Sequence, residues 1–318
     1  MALDRTVRIG TRGSKLARWQ SDWVAAQLTA LGARVEIVEI ATQGDLQQQG
    51  PIATLDIQGV FTKEIQAAVL NGQVDIAVHS LKDLPTQQIA GLALAATPPR
   101  EDSADALISN IADSLESLPQ GARVGTGSLR RRAQLLHLRP DLNISGIRGN
   151  VDTRLRKLDD GEYDAIVLAA AGLRRLGWGE RIAALLAPPQ LLPAPGQGSL
   201  GIESRANDSD SIALIGKLDD PATRLGVTAE RIVLAALHGG CSAPIAAWGR
   251  MAAGQLVADA LVADVNGQSM LRASGAIDLP QSYSGSESIA AAEQLGYRVA
   301  EDLLSQGAAA LIETARQA

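Results

Sequence analysis

Cysteine is almost absent from this chain: Cys241 stands alone among 318 residues, with only three histidines beside it. A lone cysteine excludes an internal disulfide, and so thin a supply of Cys and His provides no zinc site. No metal is expected. Aromatics are also few, at 3% with a single Phe, so the stacking platforms that bind single-stranded nucleic acid are scarce. The longest apolar runs, such as 165–171, are far too short to span a bilayer. The N-terminus has no basic segment followed by an apolar stretch and a cleavage site. The expectation is a cytoplasmic protein with no membrane and no nucleic-acid partner.

What is present is an ordinary globular composition, 46% apolar and 20% charged, in a chain long enough for two or three domains. The charge is distributed unevenly. Between Arg123 and Arg181 eleven Arg and one Lys face seven Asp or Glu, a net of +5 in a chain whose total is −6. A basic middle in an acidic protein points to an anionic ligand held locally. Only five of the 29 basic residues are Lys, and Arg suits planar, bidentate contact with carboxylate or phosphate. Cys241 follows Gly239-Gly240 and precedes Pro244. It reads either as a small buried hydrophobe or as a nucleophile or attachment point in an accessible turn.

The pattern along the chain alternates strands and helices. A strand over 7–10 leads through Thr11-Arg12-Gly13-Ser14 to a helix from Lys15 to about Leu31, and a strand follows over 35–40. Residues 41–59 lack periodicity. A helix to Leu70 stops at Asn71-Gly72, and a strand over 74–78 ends at His79-Ser80-Leu81-Lys82-Asp83. The plan then repeats. Arg123-Val124-Gly125-Thr126-Gly127-Ser128 mirrors Arg8-Ile9-Gly10-Thr11-Arg12-Gly13-Ser14, and Gly161 to Val167 mirrors Gly72 to Val78. Prolines at 98–99 and again at 188–195 mark two crossings between the halves, so the chain returns to the first. Beyond Asp219 a helix to Leu237, three alternating stretches and a last helix near 287–304 predict a small α+β domain with a three-stranded antiparallel sheet. The expected domains are 1–98 with 199–217, then 103–193, then 221–318.

In open α/β sheets ligands bind beyond the carboxyl ends of the strands, where Ser80, Lys82 and Asp83 fall. Ser14 and Ser128 are placed to cap helices whose N-termini favour anions. Arg130-Arg131-Arg132 open a helix where the macrodipole disfavours cations, which suggests compensation by an outside anion. Arg148, Arg154 and Arg174-Arg175 add to the same edge.

Taken together, His79-Ser80-Leu81-Lys82-Asp83-Leu84-Pro85-Thr86, Gly125-Thr126-Gly127-Ser128-Leu129-Arg130-Arg131, Arg148-Gly149-Asn150-Val151, Pro195-Gly196-Gln197-Gly198 and Gly239-Gly240-Cys241 resemble the hydroxymethylbilane synthase (porphobilinogen deaminase) family. The resemblance implies two hinged α/β domains of periplasmic-binding-protein type plus the small α+β domain, in a monomer. It also implies a transferase that joins four porphobilinogen units with loss of ammonia, in tetrapyrrole biosynthesis. Its dipyrromethane primer would be thioether-linked to Cys241, and Asp83 would be the catalytic carboxylate. Cofactor contacts would come from Ser80, Lys82, Asp83, Thr126, Ser128, Arg130, Arg131, Arg148 and Arg154. Substrate contacts would come from Arg12, Ser14, Phe61, Arg148, Arg154, Arg175 and Gln197. One departure stands out: Gln58 occupies a loop position where the family usually carries lysine.

Overall fold

The computed structural model describes residues 5–42, 62–238, 243–279, 283 and 285–317. Gln58, Phe61 and Cys241 lie outside the described residues. The chain divides into two compact units, residues 1–101 with 199–224 and residues 102–198 with 225–318.

The first unit is built on β1 (Thr6–Thr11), β2 (Arg34–Glu39), β3 (Ile76–Ser80), β4 (Leu92–Ala96) and β10 (Leu200–Arg205), in the order β2-β1-β3-β10-β4. β1 runs parallel to β2 and β3, whereas β10 lies antiparallel between β3 and β4. The returning chain thus fills the place between β3 and β4. Helix α1 (Lys15–Ala30) places Val24 and Leu28 against Val7, Ile9, Ile76 and Val78 on one face. Helix α2 (Lys63–Leu70) places Ile65 and Val69 against Val74, Ala77 and Leu92 on the other. Because both faces are covered, β3 is apolar on both sides instead of alternating.

The second unit repeats this order with β5 (Asp105–Ser109), β6 (Arg123–Gly125), β7 (Asn143–Ser145), β8 (Ala165–Ala169) and β9 (Ala184–Leu186), arranged β7-β6-β8-β5-β9. Helix α3 (Leu129–Leu138) covers one face, and α4 (Val151–Asp159) with α5 (Ala170–Arg175) covers the other.

The internal repeat is also a repeat of contacts. In the first unit the Arg8 backbone and guanidinium N–H groups donate to the Asp75 carboxylate at 3.0–3.1 Å, while the Asp75 N–H donates to Arg8 O. In the second, Arg123 and Asp164 make the same four bonds. Each pair ties the amino end of one strand to the segment entering the next. Both carboxylates follow a glycine in the left-handed region, Gly72 at φ 71° and Gly161 at φ 77°, which ends the preceding helix at no Cβ cost.

The second unit also holds an antiparallel sheet of β11 (Ile245–Ala252), β12 (Gln255–Ala263) and β13 (Met270–Asp278). Between β10 and β11 the chain forms α6 (Ser209–Ile215) and α7 (Pro221–Ala236), and after β13 it forms α8 (Ser286–Ser305) and α9 (Ala308–Gln317). Leu256, Ala258 and Ala260 pack one face of this sheet onto Val233, Leu295 and Val299. Ala246 and Leu261 pack the other onto Ala133 and Leu192. A Cβ on Gly249 of β11 would fall 2.2 Å from Gly226 O of α7, so strand and helix touch backbone to backbone. The expected α/β class with two sheets and a three-stranded antiparallel third is the one observed. Among the described residues no helix is long and apolar enough to cross a membrane.

Candidate active site

In the first unit, β3 ends and the chain tightens into a 3-10 turn, Leu81–Asp83. Leu81 and Leu84 are buried beneath it, and the Leu81 N–H donates to Ser199 O at 2.9 Å. β10 runs directly underneath: a Cβ on Gly201 would lie 2.9 Å from Leu84 and 3.0 Å from Leu81. The turn is therefore seated by glycine, and it leaves Asp83 exposed. Asp83 lines a pocket together with Arg12, Ser14, Gln20, His79 and Ser80. The Ser14 hydroxyl accepts the Ala17 N–H at 3.3 Å and so caps α1. Lys82 sits half-buried in the same turn.

Two partners in this pocket were not among the sequence expectations. Gln20, buried on α1, donates from Nε2 to Ser80 Oγ at 2.8 Å and orients that hydroxyl. Behind the pocket His79 is buried with Nε2 3.3 Å from Glu203 Oε2 but makes no hydrogen bond to it, that oxygen accepting from Gln66 Nε2 at 2.9 Å. Gln20 carries no motif signal, and Glu203 meets His79 only because β10 returns beside β3.

In the second unit, Ser128 caps α3 by accepting the Arg131 N–H at 3.4 Å. The turn before it is tight: a Cβ on Gly127 would lie 3.1 Å from Ile147 O, which brings the Thr126–Ser128 turn against the chain entering Arg148. Arg148 and Arg154 are half-buried, and Arg154 Nε donates to Gly149 O at 2.8 Å. Arg175 Nη2 donates to Gly198 O at 2.7 Å.

The expectation that an outside anion compensates the arginines opening α3 is corrected here. Asp105 on β5, 0% exposed, lies under that helix start. It accepts from Arg130 Nη1 at 2.7 Å and from Arg131 Nε and Nη2 at 2.9 and 2.7 Å. Gln197 Nε2 donates to the same carboxylate at 2.8 Å. Arg132 turns elsewhere, to Ile144 O and Val265 O. The compensating charge belongs to the chain itself, because burial makes an unpaired guanidinium costly. Arg130 Nε, also buried, is left without a partner among the described residues, so the cluster keeps donor capacity.

Burial pushes the Asp105 carboxyl up, but Arg130 and Arg131 outweigh it and hold it well below the usual carboxylate range. A depressed folded-state pKa stabilises the fold above the unfolded value of about 3.9, and that stability is lost as pH falls through the folded value. Urea melts should therefore show unfolding free energy falling progressively from about pH 5 downwards. Asp105→Asn should lower stability at pH 7 by about 3–5 kcal/mol, since it strands two buried cations. It should also flatten the acid limb; equal pH slopes for both proteins would remove Asp105 from that role.

The chain also matches known proteins along most of its length. The family model "Porphobilinogen deaminase, dipyromethane cofactor binding domain" matches residues 7–213, and "Porphobilinogen deaminase, C-terminal domain" matches residues 224–305. The porphobilinogen deaminase of Syntrophotalea carbinolica is 47% identical over 95% of this chain and 93% of its own. That of Acidothermus cellulolyticus is 48% identical over 98% of this chain and 92% of its own. Among solved structures, the methionine-binding protein MetQ is similar at 13% identity and a TM-score of 0.44, over 67% of this chain and 89% of that one. With two family models in register and relatives near half identity along almost its whole length, the chain belongs to the porphobilinogen deaminase family.

Proposed function

We propose that this protein joins four porphobilinogen molecules head to tail into linear hydroxymethylbilane, releasing ammonia at each addition, as a cytoplasmic monomer in tetrapyrrole biosynthesis. The observation that carries the reading is an exposed Asp83 on a glycine-seated turn, sharing a pocket with Arg12 and Ser14. Nothing in the chemistry requires nucleic acid or a membrane.

The side chains suit a dipyrromethane group linked to Cys241. Its acetates and propionates would need donors, and Ser80, Lys82, Thr126, Ser128, Arg130, Arg131, Arg148 and Arg154 would supply them. When bound, that group offers a nucleophilic pyrrole carbon on which the chain is extended. Porphobilinogen loses its aminomethyl nitrogen as ammonia and becomes a cationic azafulvenium. The Asp83 carboxylate would accept the pyrrole N–H bond and stabilise that charge, and it would take the proton given up by the attacked pyrrole carbon once the new carbon–carbon bond has formed. Arg12, Arg148, Arg154 and Arg175, with Ser14, would take the substrate carboxylates, and Phe61 would provide a packing face; Gln197, expected to touch substrate, is instead buried and spends its amide on Ser103 O and Asp105. Each charge-assisted bond contributes about 1.5–3 kcal/mol, which is why a chain gaining two carboxylates per ring needs many arginines. Each sheet of the second unit has a core of its own, which supports a division into domains 1–98 with 199–217, 103–193 and 221–318, the last two sharing the Ala133, Leu192, Ala246 and Leu261 contact within one compact unit.

The purified protein should consume porphobilinogen with matching release of ammonia. Arg154→Ala or Arg148→Ala holoprotein should accumulate partly extended enzyme complexes in native mass spectra while melting normally. A distribution identical to the unmodified protein would remove these arginines from elongation.

A further inference from the structure

A buried carboxylate outside the proposed site joins its parts. Glu230 of α7 is 0% exposed. Its Oε2 accepts the Gly196 N–H at 2.6 Å and its Oε1 accepts the Gly249 N–H at 2.7 Å. One carboxylate thus holds two backbone segments that are far apart in sequence, the 195–198 crossing and strand β11. The Gly249 bond is possible because Gly226 and Gly249 let helix and strand approach to contact. Gly196 lies in the left-handed region at φ 78° and leads directly into Gln197. Gln197 is itself fully buried, and it donates to Ser103 O and to Asp105 Oδ1, each at 2.8 Å. Asp105 in turn grips Arg130 and Arg131. From Glu230 to the guanidinium groups there is an unbroken run of short bonds, and α7 is the helix that leads towards Cys241.

We infer that Glu230 is a positioning residue: through Gly196, Gln197 and Asp105 it sets the angle at which Arg131 is presented to the primer carboxylates. The inference rests on the functional reading above. Charge-assisted bonds to backbone N–H groups are stronger and more directional than neutral ones. A carboxamide in place of the carboxylate keeps one acceptor but turns an N–H₂ towards one of the two amides. That amide then loses its partner in a buried place.

The test uses holoprotein carrying Glu230→Gln, with Glu230→Asp as a second variant that keeps the charge but is too short to reach both amides. Hydrogen exchange should quicken at Gly196 and Gln197, and kcat/KM for porphobilinogen should fall on the order of tenfold, with the covalent adduct still present by intact mass. Leu256→Ala, which loosens the core of the three-stranded sheet, should lower Tm without changing either readout. Gln197→Ala should lose kcat/KM to a similar degree. Combining it with Glu230→Gln should add nothing further, because contacts along one path are not additive. Wild-type kinetics in both Glu230 variants, multiplied losses in the double variant, or an equal loss in Leu256→Ala would each overturn the inference. If the unmodified protein has no adduct and consumes no porphobilinogen, the functional reading itself fails, which is a separate outcome.

Discussion

Cys241→Ser protein should leave the column with the mass of the bare polypeptide, whereas the unmodified protein should carry one dipyrromethane. Serine differs from cysteine by a single atom, so the fold is retained. The thioether cannot form, and a hydroxyl near neutral pH is a far poorer nucleophile than a thiolate. Polymerisation should then be lost outright, because there is nothing on which to begin. Cys241 is also the chain's only thiol, so one intact-mass spectrum before and after thiol alkylation reads its state without ambiguity. Holoprotein whose Cys241 alkylates freely while it still polymerises porphobilinogen would end the assignment.

Asp83→Asn should lower turnover by about 10²–10⁴-fold, the usual contribution of a positioned acid–base group, with Tm unchanged. The basis for an unchanged Tm is geometric. Asp83 is exposed, and Leu81, Leu84 and Gly201 hold the turn without it. Asparagine keeps the shape and loses the negative charge, so it can accept a pyrrole N–H bond but cannot balance the cation formed as ammonia departs. If the residual activity were near normal, electrostatic stabilisation would have to come from elsewhere in the pocket.

Much of this was legible from residue order. The paired Arg-x-Gly-Thr openings and the two Gly-x-x-Asp strand entries foretold two sheets of one plan, and the Arg8–Asp75 and Arg123–Asp164 contacts are the physical content of that repetition. Ser14 and Ser128 declared the starts of α1 and α3, and Asn71-Gly72 the end of α2. Other elements gave no such signal. The short strands β4, β5 and β9 have little pattern of their own and are strands because of the neighbours they pair with. The final helix, α9, is separated from α8 only by the Gln306-Gly307 break. Charge was the least legible feature of the chain. Arg123, Arg139, Arg174 and Arg181, like Arg130 and Arg131, meet carboxylates of the chain itself. Counting cations along a segment cannot reveal which of them the fold consumes, since Asp105 reaches Arg130 only through the antiparallel placement of β5. Glu230 was silent for the same reason: its partners at 196 and 249 are brought to it by tertiary packing.

The position of β10 has a bearing on how the protein is born. β3 and β4 are not neighbours; they meet only through a strand that is translated about a hundred residues after β4, roughly 5–20 s later at ordinary rates of synthesis. During that interval the nascent amino-terminal sheet has an open, apolar margin at β3, the kind of edge that invites pairing with another chain. The entire β5–β9 sheet emerges from the ribosome before that margin is sealed. Quality control of this polypeptide is therefore a matter of shielding one half-made edge until its last strand arrives.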